Sequence, residues 1–272
     1  MAFTNKMSMK TLWIGTSWKM NKTVSEGITY IQTLMKTMKI PKYIQLFLVL
    51  PYTHLTKARE LLEGTTILLG AQNMHWENEG AYTGEISPLM LAEIGVRIIE
   101  LGHSERRINF NEDDFSINRK VIAGLSNGLV PLICVGENET EKDYGVAREI
   151  VARQVKIALH GTEEYDFEHL IIAYEPVWSI GEGGTPAEPN YAGNIQSLIR
   201  EILNNKFGWE KGNKIPIIYG GSVNQDNAVD LIRQPNVNGV FIGRAGLEPD
   251  SLLAIVSRIK RTTNRICNQG LQ

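Results

Sequence analysis

Two cysteines, Cys134 and Cys267, are all that the 272 residues contain. That scarcity excludes a disulfide framework, and no Cys/His spacing matches a metal site. A reducing compartment such as the cytoplasm suits the chain. Excess charge of one sign is lacking too: 28 Lys and Arg against 30 Asp and Glu leave a net charge of −2. So even a balance gives no field for nucleic acid or an anionic membrane, and neither is expected as a partner. No apolar run approaches the roughly 20 residues that span a bilayer. The first eleven residues lack the apolar core of a secretory leader, and none is expected. No Pro-, Gly- or Ser-rich linker divides the chain, and no segment is of low complexity.

What is present is ample apolar material, 43% of the chain against 21% charged residues, enough for a sizeable core. It falls into eight short β-branched runs, at 12–16, 44–50, 66–70, 97–101, 130–135, 170–174, 215–219 and 239–242. The runs are continuous rather than alternating, as strands buried on both faces of a parallel sheet require. Helical patterning fills the intervals. Over 24–39 it puts Ile28, Ile31, Leu34, Met35 and Met38 on one face, and over 143–158 Val146, Ile150, Val151 and Val155; residues 190–204 read similarly. Eight strands alternating with helices predict an α/β fold, a single-domain (β/α)8 barrel. An open doubly wound sheet is the alternative, and usually has fewer strands. The domain is expected over 12–263, between an N-terminal tail at 1–11 and a C-terminal tail at 264–272.

In such a barrel the chemistry sits at the C-terminal ends of the strands. The polar residues there are Ser17 and Lys19, Asn73 and His75, His103 with Ser104 and Glu105, Glu137, Glu175, Ser222, and Gly243 with Arg244. Glu175 is followed by Pro176–Val177–Trp178; a fixed backbone and an apolar wall around a carboxylate raise its basicity. His103 precedes a predicted helix N-terminus, which disfavours imidazolium. A neutral imidazole there can donate to a carbonyl and move protons between two oxygens. Lys19 can reach the barrel mouth, where a fixed cation holds an anion and stabilises an enediolate. The glycine-rich stretch 178–185 after Glu175 reads as a lid. Gly220–Gly221–Ser222 and Gly243–Arg244 end strands seven and eight, a frequent phosphate position in barrels.

Trp18-Lys-Met-Asn21, Gly70-Ala-Gln-Asn73, Thr83-Gly-Glu-Ile-Ser87, Leu101-Gly-His-Ser-Glu-Arg-Arg107, Ala173-Tyr-Glu-Pro-Val-Trp178 and Tyr219-Gly-Gly-Ser-Val223, in that order, resemble the triosephosphate isomerase family. The likeness runs from about Trp13 to about Ile259. It implies a sugar-phosphate isomerase working through an enediol, with a glutamate base beside a neutral histidine, the assignment established for that family. Glu175 would be the base, His103 the electrophile, Lys19 the cation and Glu105 a supporting carboxylate. Gly181, Ser222 and Gly243 would hold phosphate. The loop 81–85 resembles one that enters a neighbouring subunit, so a homodimer is implied; no metal or organic cofactor is. Three positions depart from the family pattern: Ser17 where Asn is usual, Gly184 where the lid usually has Lys, and Arg244 where a second glycine is usual. With the stretches 13–18, 73–76 and 241–244, these departures resemble the L-erythrulose-1-phosphate isomerase branch. That branch serves erythritol breakdown and handles a four-carbon ketose phosphate, and Ser17 and Arg244 would then be substrate-binding. Two other classes fit the fold. A silent phosphate-binding barrel would not need a base, and an aldolase would want a Schiff-base lysine at a strand end, where none of the eight runs has one.

Overall fold

The computed structural model describes residues 11–37, 39–181 and 183–269. Of the expected N-terminal tail only Thr11 is therefore described; Met38, Glu182 and residues 270–272 also lie outside the described residues. The eight apolar runs become β1 (Leu12–Ser17), β2 (Ile44–Leu50), β3 (Leu68–Ala71), β4 (Ile98–Leu101), β5 (Val130–Val135), β6 (Ile171–Tyr174), β7 (Ile217–Tyr219) and β8 (Gly239–Ile242). They pair in sequence order, all parallel, and β1 closes on β8 with Trp13 opposite Gly239 and Thr16 opposite Ile242. The sheet is a closed barrel, not an open doubly wound one.

Closure sorts each strand's side chains into two populations. Phe47, Val49, Ile98, Leu132, Cys134, Ile171, Ala173, Ile218 and Phe241 point inward and form a plug. Their alternate neighbours, such as Ile14, Leu46, Leu48, Ile99 and Ile133, join the helices in a larger outer layer. The plug depends on Gly15: a Cβ there would lie 2.1 Å from the Phe47 ring. Without one, Phe47 reaches over β1 and stacks on Phe241 of the other flanking strand, ring centres 5.6 Å apart.

Boundaries differ from expectation for local reasons. β7 starts at Ile217 because Pro216 has no N–H for a ladder. The predicted helix 143–158 is two pieces, Glu139–Asp143 and Ala147–Ala158. Gly145, at φ 74°, turns the chain between them, and an Asn138/Glu141 capping box starts the first. The last helix, Pro249–Gln269, runs through the expected boundary at 263. Among the described residues no helix is long and apolar enough to cross a membrane.

Candidate active site

Parallel strands deliver all their C-terminal ends to one face, where the loops enclose a cavity of about 480 Å³. Its lining includes Ser17, Lys19, His103, Glu105, Glu175, Gly181, Ser222, Gly243 and Arg244. Residues from five loops, up to 227 positions apart in sequence, thus meet in one place.

Glu175 follows β6, its N–H bonded to the Val135 carbonyl at 2.8 Å. The side chain is 2% exposed. Its carboxylate leans on Gly220, where a Cβ would lie 2.7 Å from both Cγ and Oε1. A glycine at 220 therefore gives the carboxylate its room. Burial, then the neighbouring Glu100, push the Glu175 carboxyl well above the usual carboxylate range, while Lys19 and the Cys134 thiol work against them. A desolvated carboxylate with a free oxygen is a strong base; Glu175 Oε2 has no hydrogen-bond partner among the described residues.

His103 caps the helix Ser104–Asn109: its Nδ1 accepts from the Glu105 N–H at 3.2 Å. That bond occupies the Nδ1 lone pair, so the ring proton resides on Nε2, which lies 3.7 Å from Glu175 Oε2. Burial, aided by Lys19, lowers the His103 pKa to about 4. The ring is thus a neutral donor facing the cavity and the base.

Lys19 is in the left-handed region at φ 52°, a conformation that costs a non-glycine residue of order 1 kcal/mol or more. Gln72 holds it there by donating to the Lys19 carbonyl at 3.0 Å. Lys19 Nζ reaches Glu105 Oε1 at 2.5 Å, which aims the cation across the mouth.

The loop after Glu175 begins with a 3-10 turn, Val177–Ser179. Trp178 Nε1 donates to Glu137 Oε1 at 2.8 Å, and Tyr191 and Tyr174 donate to the same fully buried carboxylate. Glu137, outside the cavity, therefore moors the start of the loop. Gly181 and Gly183 are both left-handed at φ 86°. At Gly184 a Cβ would meet Ser179 O at 2.5 Å, so this loop conformation has no space for a side chain there. Arg244 comes from the end of β8 and donates to the Gly181 carbonyl, linking the loop's far side to the barrel.

Two strand-end residues serve elsewhere. Asn73 accepts from Lys120 at 2.9 Å. His75 packs on Tyr82, ring centres 4.2 Å apart, at the base of the exposed loop 77–85. Sequence reasoning passed over Glu100, which hid in a strand assigned for its apolar neighbours. A lone charge inside such a run, two residues from inward-facing Ile98, is the signal. Glu100, Cys134 and Glu175 each place one ligand-type atom within 4.8 Å of the others; a soft divalent ion held there would compete with substrate for Glu175.

A profile of the triosephosphate isomerase family matches residues 12–259. An L-erythrulose-1-phosphate isomerase of Rhizobium meliloti (strain 1021) is 42% identical over 94% of this chain and 99% of its own length. One from Mesorhizobium japonicum is 43% identical over 90% and 96%. A triosephosphate isomerase of Aquifex aeolicus is 43% identical over 89% and 97%.

Proposed function

The chain belongs to the triosephosphate isomerase family and is an isomerase, and from this we propose that it interconverts L-erythrulose 1-phosphate and D-erythrulose 4-phosphate. Glu175 takes the proton from the carbon beside the carbonyl. The C–H electron pair becomes the C=C bond of an enediolate, whose oxygen His103 Nε2–H polarises and Lys19 stabilises. His103 gives its Nε2 proton to the former carbonyl oxygen and takes up the proton of the neighbouring hydroxyl, Glu175 returns its proton to the neighbouring carbon, and the carbonyl has moved one position. Backbone N–H groups of Gly181, Ser222 and Gly243 hold the phosphate, with Arg244 beside them. A homodimer in the cytoplasm, within erythritol breakdown, completes the reading. The dimer is supported by exposed apolar side chains on the loops after β1 and β3, Met20 at 97% and Tyr82 at 44% exposure.

The observation that carries the substrate is Ser17 on the cavity wall. The four-carbon ketose differs from dihydroxyacetone phosphate by a hydroxymethyl group on the reacting carbon. A serine leaves roughly that much space where a longer carboxamide would stand. Two relatives named for the four-carbon substrate agree with this. Triosephosphate isomerisation is the second reading, favoured by the Aquifex relative's equal identity. A coupled assay with both substrates decides: the four-carbon kcat/KM should exceed the three-carbon value by at least about tenfold. Equal or better use of dihydroxyacetone phosphate overturns the four-carbon reading and leaves the enediol chemistry standing. No isomerisation of either sugar would overturn both.

A further inference from the structure

β4 carries a carboxylate where its inner face should be apolar. Ile98 belongs to the barrel plug, and Glu100, two residues on, faces the same way. It is 3% exposed. Ser17 Oγ donates to Glu100 Oε2 at 2.8 Å, but Oε1 has no partner among the described residues. A buried carboxylate only half satisfied weakens a fold, so packing does not account for it.

The hydrogen bond to Ser17 has a chemical consequence. A serine hydroxyl has one proton and two lone pairs. With the proton committed to Glu100, the Ser17 oxygen meets the cavity as an acceptor only. We propose that Glu100 is a positioning residue for substrate choice: by holding the Ser17 proton, it makes that oxygen a receptor for a hydroxyl attached beyond the reacting carbon. The inference rests on the four-carbon reading above. A three-carbon substrate has only hydrogen at that place and leaves the acceptor unpaired, which is how a polar pocket rejects an analogue lacking a hydroxyl. Burial lifts the Glu100 pKa to about 7, with the Ser17 bond and Lys19 opposing it, so the carboxylate is available to accept at and above neutral pH. Its charge also bears on Glu175, but that effect is common to both substrates and cancels in their ratio.

The test is the ratio of kcat/KM for L-erythrulose 1-phosphate to that for dihydroxyacetone phosphate. It is measured in the unmodified enzyme and in Glu100→Leu, Glu100→Asp, Glu100→Gln, Ser17→Ala and the Ser17→Ala/Glu100→Leu double variant. Glu100→Leu should lower the ratio at least about tenfold. Glu100→Asp, which keeps the charge but withdraws it from Ser17, should lower it as well and serves alone if the leucine variant does not fold. Glu100→Gln keeps an acceptor oxygen for the hydroxyl and should retain most of the ratio. In the Ser17→Ala background Glu100→Leu should change the ratio less than about twofold, because coupled residues are not additive. Equal losses for both substrates in the leucine and aspartate variants would overturn the inference, as would full additivity in the double variant. An unmodified enzyme that prefers dihydroxyacetone phosphate would instead sink the substrate reading, before any variant is compared.

Discussion

Glu175 is a residue built against stability. Its carboxyl is buried, one oxygen lacks a partner among the described residues, and Glu100 stands beside it. Glu175→Gln should therefore lower turnover at least about 10²–10⁴-fold while leaving the melting temperature equal or higher; a variant keeping a tenth of the turnover would remove Glu175 from the mechanism. The groups bearing on this carboxyl also fix the pH response. Burial, Glu100 and Glu105 raise its pKa, and Lys19 and Cys134 lower it. His103 stays neutral above about pH 4, so the acid limb of kcat/KM belongs to Glu175. Glu100→Gln should move that limb to lower pH, read from a pH–rate profile. Stability carries a matching signature. Between about pH 4.5 and 7 the folded protein keeps a Glu100 proton that the unfolded chain releases, so stability falls as pH rises through that window. Glu175, also raised, adds a slope of the same sign, so Glu100→Gln should make the slope shallower, not abolish it, in denaturation measured across the range. Little of this was legible in the chain: Ser17 and Glu100 are separated by 83 positions, and nothing in either local sequence announces the other.

Whole strands were easier to read than single contacts. Parallel strands buried on both faces are apolar along nearly all their length, Glu100 in β4 being an exception, so all eight showed as near-continuous runs, with errors at ends such as the one set by Pro216. Helices on the outside bury one stripe only, and there a single left-handed glycine, Gly145, divided what periodicity joined. The loop after Glu175 was legible as glycine-rich, but not its mooring, because Glu137 and Trp178 come from different strand ends. That mooring predicts a behaviour. Glu137→Gln weakens the acceptor for three donors, buried Tyr174 and half-buried Trp178 and Tyr191, each charge-assisted bond contributing about 1.5–3 kcal/mol. Hydrogen exchange over residues 177–186 should speed up, with a loss of kcat. Arg244→Ala, which removes the link to Gly181, should speed exchange at that far side while leaving the Trp178 end protected. Uniform exchange in both variants would mean that the loop is not held at two ends.

At the scale of the molecule, nine site residues meet in one cavity because a parallel barrel delivers every strand end to the same face; fold class alone makes the site's location readable once the runs are counted. Association is a separate property. If loop 77–85 enters a second subunit, sedimentation should give twice the 30.5 kDa chain mass, and replacing 79–84 by a short turn should halve it and lower activity. An unshortened chain that sediments as a monomer would remove the dimer. The pairing of β1 with β8 reaches further. A ring has no rim: every strand's backbone donors and acceptors are already matched on two sides, so a second chain finds nothing to extend. A ring also has no beginning. Which loop carries the chain break is a matter of synthesis rather than architecture. A circular permutant opened at the exposed turn by Gly128, with its original ends joined by a flexible linker, should refold to the same barrel and isomerise its sugar.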